Sequence, residues 1–496
     1  MHMVRGHGFF KSTEQKEDEL LKLRRLGISN DVEEIPAIEN EIGLRSLLLF
    51  HSYNLREHKI SILTSLKHLR VIVFRGIIAI TRIPDSIGNL EQLRLLDLSY
   101  TKVQNLPESI GRLLSLEYFS VVGCLELGSL PAGLMGLSRL RFLQVDKNLT
   151  SIPRGIGNFQ HLYNLKGVFE NGANGFTLDE LQNLSKIRHL WIERLEKAMY
   201  RSTMVPSSMV HLKELGLCCT MDADQHNRTH YQKEQVERIQ QVHQKPVPSR
   251  KLEYIFLYGF PGVSLPRWLC TEPQDKLPHL GHMHFNECIA FLELPPAGQL
   301  PELQVLHVKG ADAIRNIGAE LVGRGVRMTL ESSIKVFPKL ELLYIADMPN
   351  WETWSLSTVG LCSQNNTIGD TCQVILMPLL RRLSLLNCPQ LRALAQDLHR
   401  AANLREVRIE GAHSLHEIVD LPVVVWLKVK HNQSLRRIAT LSKLEDLFAQ
   451  DCPALGQAEN LGKLKRLDMV DCAKAQQFRK CLLEERGSLV HFRIFR

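Results

Sequence analysis

Apolar positions in this chain recur over a long period, and within each period they fall into a short, strand-like cluster. IPDSIGNLEQLRLLDLSYTKVQN (83–105) is followed by LPESIGRLLSLEYFSVVGCLELGS (106–129) and then LPAGLMGLSRLRFLQV (130–145). The unit reads I/L-P-x-x-I-G-x-L-x-x-L-x-x-L-x-L and is about 24 residues long. Each unit predicts one short strand at L-x-x-L-x-L and a return segment that begins at the Leu-Pro step. Taking the third apolar anchor of each unit gives Leu47, Ile72, Leu96, Phe119, Leu143, Leu165, Leu190 and Leu215, in steps of 22 to 25 residues. After a step of 40 residues the series resumes at Ile255, Met283, Leu306, Leu343, Leu383, Val407, Leu427, Leu447, Leu467 and Phe492.

Self-similarity at this period predicts an α/β leucine-rich repeat solenoid of about eighteen turns. Its parallel strands would line the concave side of a curved horseshoe. No turn buries its apolar positions alone, so the turns must stack. Residues 1–40 form a flanking segment in which EQKEDELLKLRRL (14–26) predicts a short capping helix. Residues 41–221 hold regular repeats. Residues 222–250 form an insertion whose polar stretch 231–244 predicts a surface helix, ended by Pro246 and Pro248. Residues 251–496 hold irregular repeats with loops near 310–335 and 351–375. The 20-residue turns near the end leave little room for a helix on the return side.

Composition refines this picture only modestly. A net charge of +8 over 496 residues is mild, and it reads as solubility rather than nucleic-acid binding. No run of apolar residues reaches the roughly 18 needed for a membrane span, because Arg75 interrupts VIVFRGIIAI (71–80). MHMVRGHGFF (1–10) leads into charged residues rather than a signal-peptide core. These features predict a cytoplasmic or nucleo-cytoplasmic protein with reduced thiols. Five of the eleven cysteines (Cys124, Cys288, Cys388, Cys452 and Cys472) each lie five residues after an anchor, where Thr101 and Thr220 stand in other turns. That phase predicts a buried ladder rather than a disulfide framework.

Catalytic and cofactor motifs are missing from the sequence. GQAENLGK (456–463) has the wrong glycine spacing for a phosphate-binding loop, and Leu464 follows it instead of Ser or Thr. No H-E-x-x-H or G-x-S-x-G occurs, and His282 with His284 form only a strand-face pair. The expectation is a protein that is not an enzyme, with no cofactor and no resident metal. Five N-x-[ST] sequons, at Asn148, Asn183, Asn227, Asn365 and Asn432, read as chance occurrences.

The informative positions are those between the last two anchors of each strand, which alternation turns away from the core. Among them Trp191, Phe256, His284, His307 and Tyr344 predict a central aromatic patch for protein binding. Arg408, Lys428 and Arg493 predict a basic end suited to an acidic partner.

Several stretches go beyond the generic repeat: RIPDSIGNLEQLRLLDLSYTKVQNLPESI (82–110), FPGVSLPRWL (260–269), LPPAGQLPELQVLHVKG (294–310), IRNIGAEL (314–321), FPKLELLYIADMPNWETW (337–354) and LRRLSLLNCPQLRAL (380–394). In this order they resemble the leucine-rich repeat region of plant intracellular immune receptors of the coiled-coil, nucleotide-binding, leucine-rich-repeat class. The resemblance spans roughly residues 25–496. The family's coiled-coil and nucleotide-binding domains have no counterpart in this sequence, and MHMVR only echoes a Met-His-Asp motif, with Met3 in place of Asp. The resemblance implies a module of innate immunity that senses pathogen effectors or guarded host proteins. It also implies restraint of an NB-ARC switch domain, in cis or in trans. A stand-alone repeat adaptor or decoy, or a fragment of an extracellular repeat receptor, is the alternative.

Overall fold

A computed structural model describes residues 24–29, 43–50, 66–172, 174–198, 209–220, 231–244, 249–323, 333–356, 373–486 and 491–495. The chain divides into two units. Unit 1 holds residues 1–220 with 245–249, and unit 2 holds residues 221–244 with 250–496.

In unit 1, nine short strands from Arg25–Ser29 to Glu214–Cys218 pair in parallel, each with the strand one repeat away. The eight anchors stand in one register, Leu47 opposite Ile72 and so on to Leu190 opposite Leu215, and all eight are fully buried. Alternation explains this, since Leu96 and Leu98 point into the stack while Leu95, one position off, does not. The return segments begin where the Leu-Pro step predicted. Pro84, Pro107 and Pro131 lead into 3₁₀ turns at Asp85–Asn89, Glu108–Arg112 and Ala132–Gly136. Proline holds φ near the value these positions need and has no N–H to leave unpaired.

Successive returns approach closely. A Cβ on Gly111 would lie 2.5 Å from the carbonyl oxygen of Gly133, so glycine is required there for the backbones to stack. Carboxylates tie one return to the next. Glu108 accepts from Ala132 N at 3.1 Å and Gly133 N at 2.7 Å, and Glu180 accepts from Gly155 N at 2.8 Å. The ladder cysteines are buried free thiols, as their phase predicted. Cys124 donates to the Leu98 carbonyl at 3.0 Å, which Thr101 also reaches at 2.8 Å.

The first turn comes earlier than the sequence placed it. Leu26 sits in the strand Arg25–Ser29 and pairs with Leu47, so the predicted helix over 14–26 does not include its last residues. RLGIS alternates at strand period, and Leu26 serves as an anchor rather than as part of a helical stripe. Residues 14–23 of that expectation lie outside the described residues.

Unit 2 repeats the plan with ten parallel strands, from Tyr254–Tyr258 to His491–Phe495. Where the turns shorten to 20 residues, the return side carries a second parallel ladder of Glu417–Val419, Arg437–Ala439 and Gln457–Glu459 instead of helix. The stretches read as loops carry short strands in their described parts. Asn316–Ile317 pairs with Thr353–Trp354, and Ser333–Val336 pairs with Gln373–Leu376. The helix Ala475–Arg486 was not foreseen from the sequence.

The insertion helix runs Lys233–Gln244. It is less of a surface element than its composition implied. Ile239, Val242 and His243 are buried at i, i+3 and i+4, His243 meets Phe260 at 4.5 Å between ring centroids, and Trp268 Nε1 donates to the His243 carbonyl at 2.9 Å.

Candidate functional site

In unit 1, Trp191 stands on the open side of the strand His189–Ile192, half-buried. Its indole lies over Gly216, its register partner on the next strand. A Cβ at Gly216 would come within 2.4 Å of the ring, so the missing side chain makes the platform. Glu214 fixes the indole by accepting from Trp191 Nε1. The same carboxylate binds Lys166 Nζ at 2.6 Å and His189 Nδ1 at 2.8 Å, and the Lys166 ammonium lies 5.1 Å from the Trp191 ring centroid. Burial pushes the Glu214 carboxyl up, but hydrogen bonds from His189, Lys166 and Trp191 outweigh it and hold the group down to about 2. Nearby, Phe142, Tyr163, Asn164, Arg188 and His189 line a cleft of 490 Å³.

In unit 2, register places Phe256, His284, His307 and Tyr344 on four successive strands at the same open-face position. Each is half-buried, and the rings cover one another. Phe256 stacks on His284 at 4.6 Å, His284 meets His307 edge-on at 5.3 Å, and His307 meets Tyr344 at 4.3 Å. The two imidazoles also approach Nδ1 to Nδ1 at 3.3 Å. Sequence reasoning missed a second pair beside them, Tyr254 stacked on His282 at 4.4 Å. Its signal was present, because Tyr254 and His282 lie one position before an anchor, and that position also alternates outward. Burial lowers His282 and His307, and burial together with His307 and His282 lowers His284 to about 4. At neutral pH the row is therefore aromatic and uncharged. No group of three or more His, Cys, Asp or Glu side chains among the described residues could hold a metal ion.

The predicted basic end is more evenly charged than its side chains implied. Arg408 donates to Glu410 from Nε at 2.9 Å and from Nη2 at 3.0 Å, and Lys428 Nζ lies 3.5 Å from the same carboxylate. Glu410 escaped notice because it belongs to the next outward position of its own strand. Arg493 is exposed but separated from Lys428 by two intervening strands, which carry Phe448 and Asp468 in the same row. Phe448, also unforeseen, lies beneath Lys428 and Lys430 at 5.8 and 5.5 Å.

Stacked parallel strands with polar and aromatic outward rows define a leucine-rich repeat protein. The chain matches the family described as a leucine-rich repeat region over residues 43–359. Among curated proteins it is 27% identical over 336 residues to a disease resistance RPP13-like protein of Arabidopsis thaliana, covering 66% of this chain and 30% of that one. It is also 27% identical over 347 residues to disease resistance protein RGA4 of Solanum bulbocastanum, covering 65% and 32%. With disease resistance protein RPP8 of Arabidopsis thaliana the identity is 24% over 383 residues, covering 76% and 35%. The chain belongs to the leucine-rich repeat region family, and the curated proteins it resembles are plant disease resistance proteins. It spans about a third of the length of the curated relatives it matches. No helix among the described residues is long and apolar enough to cross a membrane.

Proposed function

We propose that the chain recognises a protein partner, a pathogen effector or a guarded host protein, in plant innate immunity. The observation that carries this reading is the continuous row Phe256, His284, His307 and Tyr344 on the open face of unit 2. Four uncharged rings at one strand position serve no core. Preorganised by mutual stacking, they offer apolar area at little entropic cost. Arg408 and Lys428 add charge that Glu410 orients, and Trp191 adds a rigid anchor on unit 1 held by Glu214. Arg493 extends the same face. By its resemblance to immune receptors, the chain also restrains an NB-ARC switch domain, in cis or in trans, and works in the cytoplasm or nucleus.

Proximity labelling in leaf tissue tests the reading, with the wild-type chain compared against Phe256→Ala/Tyr344→Ala. The expected outcome is a labelled protein that the double variant loses about tenfold while its melting temperature stays near that of the wild type. An unchanged labelling profile in the folded variant would refute the assignment of this face to recognition.

A further inference from the structure

We propose that the edge of unit 1 where the chain enters its strands is a docking surface for an acidic amphipathic helix of a partner protein. The residue just before each strand donates its backbone N–H to the corresponding residue one turn earlier. Arg45 donates to Arg24 at 2.8 Å, Arg70 to Arg45 at 2.7 Å and Arg94 to Arg70 at 2.8 Å. Arg141 and Arg188 occupy the same position two and four turns beyond Arg94, through the same chain of bonds. Six arginines thus stand in one column, all exposed, at the strand separation of about 4.8 Å per turn.

Two members of the column are not cationic arginines. Glu117, between Arg94 and Arg141, lies 3.7 and 3.4 Å from them. Tyr163, between Arg141 and Arg188, has the Arg188 guanidinium 5.3 Å above its ring. Among the described residues, Arg24, Arg45 and Arg70 meet no carboxylate, whereas Arg94 and Arg141 share Glu117.

The fold does not require cations there. In unit 2 the same position, defined by the same N–H to carbonyl relation, holds Glu253, Gly281, Gln304, Glu341, Arg381, Arg405, Val425, Glu445 and Lys465, so the unbroken run Arg24, Arg45, Arg70, Arg94 is particular to unit 1. A partner accounts for the difference, and its chemistry follows from the spacing and from the neighbouring row. Carboxylates on one face of a helix recur about every 5.4 Å, close enough to the column for flexible arginines to absorb the drift. Arginine also grips carboxylates in bidentate fashion. Immediately inward, Val71, Leu95, Tyr118 and Phe142 form a half-buried apolar row on four successive strands, with Tyr118 stacked on Phe142 at 4.3 Å. An apolar row beside a basic column complements a helix with adjacent apolar and acidic stripes. This surface does not use the aromatic row of unit 2, so the two assignments stand or fall separately.

Fluorescence anisotropy of the whole chain tests the proposal with a labelled synthetic helix of about 21 residues, roughly 31 Å long. It carries glutamates on one face beside leucines, and an isomer of equal composition has its glutamates scattered. The patterned helix should bind at least about fivefold tighter than the isomer and weaken steeply between about 50 and about 300 mM salt. Arg45→Glu/Arg70→Glu should cut affinity about tenfold, Arg70→Gln by a smaller factor, and Lys443→Glu on unit 2 should leave it unchanged. If the double variant fails to fold, Arg70→Gln alone decides. Equal binding of both peptides, or affinity unmoved by the arginine changes, would overturn the proposal. Tighter binding of double-stranded RNA or of phosphatidylserine vesicles at the same salt would overturn it as well.

Discussion

Side chains at equivalent positions in this chain carry different duties according to what surrounds them. Tyr344 lies between the buried anchors Leu343 and Ile345 yet points outward, so truncation removes recognition surface rather than core. Tyr344→Ala should weaken partner capture and cost less than about 1.5 kcal/mol of stability, read from urea unfolding. Inside unit 2, His243 is fully buried and held down to about 4 by that burial, although its Nδ1 donates to the Ile239 carbonyl at 2.9 Å. Its folded pKa lies below the unfolded value of about 6.5, so acid favours the unfolded state, which takes the proton first. Stability from neutral His243 is present above pH 6.5 and is lost as pH falls toward 4. Between pH 7 and 5 the loss should be about 2 kcal/mol. Denaturant titrations at both pH values should show a drop that is smaller by about that amount in His243→Gln. Glu214 acts in a lower window, since donors hold it at about 2. Its contribution is complete above about pH 4.5 and fades as pH falls toward 2.

At the scale of elements, the return turns decide how closely repeats stack. Gly111 and Gly136 both sit in 3₁₀ returns, but a Cβ on Gly111 would strike the Gly133 carbonyl at 2.5 Å, whereas one on Gly136 would meet nothing within 4 Å. Gly111→Ala should therefore destabilise unit 1 by about 1–3 kcal/mol through backbone displacement. Gly136→Ala should be neutral or slightly stabilising. Thermal melts of the two variants check the contrast. The P-x-x-I-G pattern was readable in the sequence, but the partner atom that makes one glycine indispensable belongs to the next repeat, 22 residues away.

Across the whole molecule, stability accrues from nearest-neighbour layers rather than from one shared core. Leu96 is fully buried between Ile72 and Phe119. Leu96→Asp places a charge in that stack and should cost about 4 kcal/mol or more. Because layers couple mainly to their neighbours, hydrogen exchange should show lost protection in the strands flanking Leu95–Asp97. Protection in Asp446–Gln450 of unit 2 should persist. Uniform loss along the chain would contradict this layered account.

Repeat period, the register of the anchors from Leu47 onward, Leu-Pro returns and the cysteine ladder were determined by the sequence, because each rests on local alternation and a fixed spacing. The outward position of Trp191, Phe256, His284, His307 and Tyr344 followed from the same alternation. Three features were decided only by the tertiary structure. Glu410 draws in Arg408 and Lys428, and Glu214 gathers Lys166, His189 and Trp191. The insertion helix buries Ile239, Val242 and His243 beside Phe260 and Trp268. Apart from the Arg408–Glu410 pair on one strand, each depends on side chains that are distant in sequence or belong to unlike segments, and no periodic pattern encodes such pairings. A repeat fixes where its residues stand. Which charges and rings then meet is settled by the neighbouring turns.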